Sequence, residues 1–469
     1  MLPLSPILKT NDLRGAVPEQ WGTDEARVLG AAIAHAFSEA PALLVGHDMR
    51  LSGPALAGAL MEGASGQGLD VIDLGQVSTD TMYFASGARA LPGAMLTASH
   101  NPSGDNGLKL MRPGAKPVGL ESGLKAIVAW ADANPNPAPA AQPGQTEAVD
   151  VLPEFARFLR QAVDLSGIRP LTVAVDAGNG MGGVVTEAVL GTAVGLPPLP
   201  VNLVPLYFEP DGAFPNHLAN PLDPANLEDL KRAVISSGAD LGLAFDGDAD
   251  RCFVVAENGQ AVPPSVIGVI IALREVAREQ AAGRSAVVIH NAITSQVFPE
   301  LVRASGAEPV RTRVGHSVIK PAMADRDAVF GAEHSGHFYF RDFFYADSGI
   351  LSAMHVLAAL GSSDLPLSHL AEIYSPYVSS GEVNFRVSDP AHSIQKVQSA
   401  YADDAARGTV ILDALDGLTV NHWANLPRWW ANVRPSNTEA LLRLNVEAED
   451  ADVMVKVRDG MAGLIREAG

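Results

Sequence analysis

Cysteine is nearly absent from this chain. Cys252 stands alone among 469 residues, so no disulfide can form within it. Long apolar runs are missing too. The longest candidate, Val266 to Leu273, falls well short of the roughly 18 residues of a membrane span and reads as part of a buried helix. Basic residues are in deficit, 33 Lys and Arg against 53 Asp and Glu, and the net charge of −20 argues against a nucleic-acid partner, which would need a concentrated basic surface. Anionic small molecules are not excluded, because a local pocket of Arg and Lys can be positive on an acidic, well-solvated protein. The opening Met1-Leu2-Pro3-Leu4-Ser5-Pro6 has neither the basic nor the apolar region of a secretory signal, which predicts a cytoplasmic protein without a membrane partner.

What is present is a chain at 47% hydrophobic and 18% charged, enough for a large core in three or four domains. An apolar strand-like run followed by a helical stretch recurs, as at Ala42 to Gly46 with Pro54 to Gly66, again from Leu171 and again from Ala286. This grammar predicts repeated α/β units with mixed or parallel sheets. The Pro-rich stretch from Asn134 to Gly144 reads as a linker, closing a first domain over 1–150. The run Phe253-Val254-Val255 and the turn signal Asn258-Gly259 set the second at 151–257, with a third at 258–374. A last domain, 375–469, carries more strands and fewer helices, an α+β pattern ending in a helix from about Asp452.

Four short motifs bear chemistry. Thr97-Ala98-Ser99-His100-Asn101-Pro102 follows the strand-like Gly93 to Leu96, so Ser99 stands on a loop where it can be phosphorylated. Asp246, Asp248 and Asp250 alternate in a loop, and carboxylates so spaced can converge oxygens on one hard cation such as Mg²⁺, with Arg251 following to contact phosphate. A calcium loop is the rival reading, since Glu257 falls at the twelfth position. Arg251 stands where that loop needs glycine, and the next residues are strand-like. Glu333 and Ser335 offer an acceptor and a donor-acceptor on one turn, which suits vicinal sugar hydroxyls. Arg434, Ser436, Asn437 and Thr438 combine a guanidinium fork with small hydrogen-bonding residues, a nest for a phosphate that is held without reacting. One further motif is a decoy. Gly178, Gly180 and Gly183 have dinucleotide-fingerprint spacing, but the stretch from Leu190 to Pro205 holds no acidic residue for a ribose, so they read as a structural strand-to-helix turn.

In this order and at these separations the four motifs resemble the α-D-phosphohexomutase family, in its phosphomannomutase/phosphoglucomutase branch. Supporting stretches are Leu13-Arg14-Gly15, Asn106-Gly107-Leu108-Lys109, Pro210-Asp211-Gly212 with Phe214-Pro215-Asn216-His217, and Val314-Gly315-His316 with Lys320. The resemblance implies three related α/β domains and a smaller α+β domain around a central cleft. It implies that Ser99 is carried as phosphoserine and completes the ligand set of one Mg²⁺ with the three aspartates. It places His100, Lys109, Arg14 and His316 in phosphoryl contact and acid/base roles, and Gly315 among the substrate-binding residues. The base is expected to be Lys109, if neighbouring cations and burial lower its pKa, with His316 as the alternative. His334 and His337 are expected in support.

The implied reaction interconverts hexose 1- and 6-phosphates of mannose, glucose or both, with hexose 1,6-bisphosphate as intermediate and activator. Two rivals remain open: a phosphatase using Asp246 as nucleophile, and a noncatalytic sugar-phosphate binding protein. One departure stands out, because His290-Asn291-Ala292-Ile293-Thr294 has no strong cation where many relatives carry a basic phosphate contact in the third domain.

Overall fold

A computed structural model describes residues 2–436 and 441–468 and arranges them around four sheets. The first runs, in spatial order, Leu13–Ala16, Asp105–Arg112, Gly93–Leu96, Ala42–His47, Asp70–Gln76 and Thr146–Ala148, with Lys116–Pro117 off the path. Its four members from Gly93–Leu96 onward are parallel, and Asp105–Arg112 returns antiparallel. The second runs Ala261–Val262, Cys252–Ala256, Leu241–Phe245, Leu171–Asp176 and Val201–Leu206, and the third Glu308–Thr312, Val287–Asn291, Phe330–Ala332, Phe338–Phe340 and Ala346–Asp347. All three repeat one plan. Three parallel strands lie side by side with the first in the middle, and the third is joined through a loop to an antiparallel neighbour. The fourth sheet, Val378–Phe385 through Ile411–Asp413, is antiparallel throughout and packs against the helix Ala451–Ala468.

The central parallel strands are buried along nearly their whole length, as in Ala42–His47 and Leu241–Phe245, because helices cover both faces of such sheets, whereas outer ones such as Val201–Leu206 are half-exposed. Val266 to Leu273 lies within the helix Pro264–Ala281, which is buried on most of its surface. No helix of the described residues is long and apolar enough to cross a membrane. The Pro-rich linker folds back on the first unit: Ala140 and Gly144 donate their N–H groups to Gly66 and Ser65, and Thr146–Ala148 then joins the first sheet. The Asn258-Gly259 turn lies at the end of the second unit. It is the turn of a hairpin whose return strand, Ala261–Val262, pairs with Val254 and Val255.

The helices Thr23–Ala36 and Gly53–Gly66 cross at glycines. A Cβ on Gly63 would stand 1.8 Å from the Arg27 carbonyl oxygen, and one on Gly30 would stand 2.0 Å from that of Leu60. Backbone cannot yield as a side chain can, so Gly63→Ala should cost about 1–3 kcal/mol by forcing the helices apart. Gly58→Ala, on the same helix with open space around it, should be neutral or stabilising by up to about 1 kcal/mol. Thermal or urea unfolding of the two variants checks the contrast; equal effects would mean that the crossing is looser than it looks.

Candidate active site

The three repeated loops meet. Residues 97–104 join Gly93–Leu96 to Asp105–Arg112, residues 246–251 join Leu241–Phe245 to Cys252–Ala256, and residues 333–337 join Phe330–Ala332 to Phe338–Phe340. Ser99 takes a left-handed backbone, φ 50°, and its N–H donates to Thr97 Oγ1 at 2.9 Å. Its hydroxyl donates to Asp246 Oδ2 at 2.8 Å. The approach needs Gly247, where a Cβ would lie 2.4 Å from the Ser99 carbonyl oxygen. The third loop touches the second unit likewise, since a Cβ on Gly336 would meet the Phe253 ring at 2.8 Å.

The three aspartates are fully buried, and their oxygens lie within 4.8 Å of one another. Donors from elsewhere in the chain offset the burial. Arg251 Nε reaches Asp246 Oδ2 at 2.9 Å, Thr79 Oγ1 reaches Asp248 Oδ2 at 2.6 Å, and Lys109 Nζ bridges Asp248 and Asp250 at 2.6 Å each. Asp248 Oδ1 and Asp250 Oδ1 are buried without a partner. Two orphaned carboxylate oxygens beside a third carboxylate form a hard-donor set that fits a divalent metal ion such as Mg²⁺.

Burial opposes the charge on Lys109, but Asp248 and Asp250 overcome it and hold the ammonium well above its ordinary pKa. The expected base role of Lys109 asks for a lowered pKa, whereas its nearest neighbours in this structure are anions that raise it. The alternative, His316, opens the helix His316–Arg326, and burial and then Lys320 push it well below its usual value. His100 is likewise kept neutral by burial and by Arg251, which donates to its Nδ1 at 2.5 Å. Arg14 lies against the serine loop, donating to Asn101 Oδ1 at 2.8 Å and pairing with Asp12.

His337, expected only in support, stands at the centre. Its Nδ1 is 2.8 Å from Asp347 Oδ2 and 3.7 Å from Asp250 Oδ1. Burial opposes its charge, but these two carboxylates raise its pKa. Asp347 is paired on its other oxygen with Lys320, at 2.8 Å, and the Lys320 ammonium sits 3.7 Å from the centre of the Tyr83 ring. Nothing local marks Asp347. Its role comes from the register that sets Tyr339 opposite it on the next strand.

Glu333 is buried and held on both oxygens, by Tyr339 at 2.5 Å and by Asn291 and the Gly315 N–H at 3.2 and 3.0 Å. A carboxylate has about four lone-pair positions, so it retains capacity for a ligand hydroxyl. Ser335, half-buried, follows on the same turn. Arg434, on the strand Trp429–Pro435, is buried, pairs with Glu382 at 2.9 Å and leaves its Nε without a partner. Ser436 follows that strand, whereas Asn437 and Thr438 lie outside the described residues. Arg311 is a guanidinium that reaches the cation-poor segment after Asn291, donating to Ala292 O at 3.3 Å, and it is tied down by Asp413 and Thr419. The decoy glycines serve packing: a Cβ on Gly180 would strike Gly247 O at 2.7 Å, and one on Gly183 would strike Phe208 O at 2.3 Å.

Known proteins share this architecture from end to end. Residues 5–135, 153–259 and 264–377 match phosphoglucomutase/phosphomannomutase alpha/beta/alpha domains I, II and III, and residues 382–464 match the C-terminal domain. The chain is 36% identical over 458 residues to the phosphohexose mutases of Xanthomonas campestris pv. campestris, covering 97% of each. It is 34% identical over 453 residues to a phosphomannomutase of Escherichia coli strain K12, covering 96% of each. The crystal structure of a phosphoglucomutase/phosphomannomutase family protein from Burkholderia thailandensis superposes with a TM-score of 0.86 at 30% identity, over 100% of this chain and 98% of that one. With all four parts matched in order, the chain belongs to the phosphoglucomutase/phosphomannomutase family and is an enzyme that transfers phosphate within a sugar.

Proposed function

We propose that the protein interconverts the 1- and 6-phosphates of glucose and mannose, carrying phosphate on Ser99 and passing through a hexose 1,6-bisphosphate that also serves as activator. The observation that carries this reading is the contact of Ser99 Oγ with Asp246 in a cluster where Lys109 and Arg251 already stand as cations. One Mg²⁺ held by Asp246, Asp248, Asp250 and the Ser99 phosphate would neutralise charge on the transferring group. In the first transfer the bond from phosphorus to Ser99 Oγ breaks as a sugar hydroxyl oxygen attacks; that hydroxyl gives its proton to His337, and Ser99 Oγ leaves as an alkoxide whose charge the metal and Arg251, 3.5 Å away, would offset. The bisphosphate then turns, and its other phosphoryl group returns to Ser99 Oγ while the proton returns to the oxygen that leaves. Lys109, Arg14 and Arg251 hold phosphoryl oxygens. Arg434 and Ser436 hold the phosphate that does not react, a role the family resemblance extends to Asn437 and Thr438.

The serine is a better carrier than Asp246, because Arg251 and Ser99 already occupy the Asp246 oxygens. Ser99→Ala should fold, lose nearly all turnover and show no phosphate by intact mass, where the wild type carries one. Substantial turnover by this variant, or an acid-labile acyl phosphate in the wild type, would remove Ser99 from the mechanism.

Asp248→Asn should abolish Mg²⁺-supported activity with little change in melting temperature. Calcium should bind yet support turnover poorly, because its looser coordination holds phosphoryl oxygens less rigidly. Full activity after exhaustive chelation would show that no metal takes part.

With Glu333 and Ser335 gripping carbons 3 and 4, the site has little hydrogen-bonding leverage at carbon 2, where glucose and mannose differ. Turning the sugar also exchanges carbons 3 and 4, so one pair of handles serves both orientations. Catalytic efficiencies on the two sugars should lie within about two orders of magnitude. Both should collapse in Glu333→Ala, and galactose phosphates, inverted at carbon 4, should be poor substrates because a buried polar group would be left unpaired. Steady-state kinetics on the three sugars decides it, and good turnover of galactose 1-phosphate would refute this account.

A further inference from the structure

Arg50 takes no part in the chemistry above, yet it is among the largest fully buried side chains of the protein. A guanidinium in such a place is strongly unfavourable unless its donors are met. The serine loop meets those on both Nη atoms, while Nε has no hydrogen-bond partner. Nη1 donates to the carbonyl oxygens of Pro102 and Asp105 at 2.7 and 2.6 Å, and Nη2 to those of Ser99 and Asn101 at 2.9 and 2.6 Å. Asp48 orients the fork, accepting from the Arg50 N–H at 2.9 Å and facing its Nε at 3.5 Å. The Thr97 hydroxyl oxygen receives the Ser99 N–H at 2.9 Å.

The second unit closes the other side. The Phe214 ring centre lies 5.6 Å from the guanidinium, and a Cβ on Gly212 would stand 2.7 Å from both Arg50 Cα and the Met49 carbonyl oxygen. This segment is itself anchored, through Asp211 N–H to the Asn179 carbonyl, Asn216 to the Asn179 side chain and His217 to Asp176.

Ser99 needs such a clamp because its left-handed backbone is disfavoured for a residue with a Cβ. Relaxing to an ordinary φ would swing the peptide whose carbonyl Arg50 holds and take the hydroxyl away from Asp246. We infer that Arg50, clamped by Asp48 and by the Gly212–Phe214 segment of the second unit, is a positioning residue that holds Ser99 in its reactive conformation through the carbonyls of the serine loop. The inference rests on Ser99 being the phosphoryl carrier.

Arg50→Lys keeps the charge but cannot serve four carbonyls in one plane. It should lower kcat about 100-fold while leaving KM within about threefold of wild type. The rate at which dephosphorylated enzyme takes phosphate from glucose 1,6-bisphosphate, followed by intact mass, should fall by the same factor as kcat. Phe214→Leu leaves Arg50 in place and loosens only its lid; it should show the same pattern at about tenfold and decides the matter if Arg50→Lys does not fold. Wild-type kcat in folded Arg50→Lys, or losses that follow melting temperature with activity per folded molecule unchanged, would overturn the inference. Ser99→Ala run alongside separates the two failures. If it is inactive while Arg50→Lys is normal, only the positioning role falls; if it is active, the carrier assignment falls first.

Discussion

The rest of the site depends on the burial of three carboxylates within one six-residue loop. Asp246, Asp248 and Asp250 are all but removed from solvent, and at such spacing the repulsion between their charges adds to the cost of burial. No residue within the loop except Arg251 can relieve this. Relief comes from the first unit, as Lys109, the Thr79 hydroxyl and the Ser99 hydroxyl, and from the third, as His337. The acidic loop thus draws the other units toward itself, and the groups it draws in are two hydroxyls, a cation and an imidazole.

The same electrostatics assigns the nitrogens. Lys109 faces carboxylates and remains charged, His337 faces carboxylates and is raised, and His100 and His316 face cations and stay neutral. A histidine or lysine in an active site has no fixed role by residue type. The sign of the nearest charges decides whether it holds a phosphate oxygen, accepts a hydrogen bond or exchanges a proton.

What was legible in the sequence was local. Ser99, the aspartate triplet, Glu333 with Ser335, and the Arg434 loop each declare themselves within a few residues, because a loop that binds a metal or an anion must gather its donors in one place. The alternation of strand and helix was legible for the same reason. Properties set by partners distant in the chain were not. Lys109 is flanked in sequence by leucines, so nothing near it announces Asp248 and Asp250, some 140 residues away. Asp347 and Arg50 sit in unremarkable strands and turns, and their importance follows from sheet register and from carbonyls that present no side-chain signature at all. The Asn258-Gly259 turn shows the same limit: its composition marks a turn, and only the pairing of Val254 and Val255 with Val262 and Ala261 shows that it closes a hairpin.

The loops 246–251 and 333–337 each hang between paired strands whose last residues face one another, Phe245 with Cys252 and Ala332 with Phe338, so their ends are pinned roughly 5 Å apart whatever lies between them. A segment tethered in this way can exchange its tip, or gain and lose residues, without disturbing the sheet beneath it. In the turn from Glu333 to His337, Glu333, Gly336 and His337 are tied to Tyr339, Phe253 and Asp347, which leaves His334 and Ser335 as the positions open to change. On the reading proposed above, a change of sugar selectivity would be written at those two positions, while the serine, the acidic triplet and the strands that aim them stay as they are.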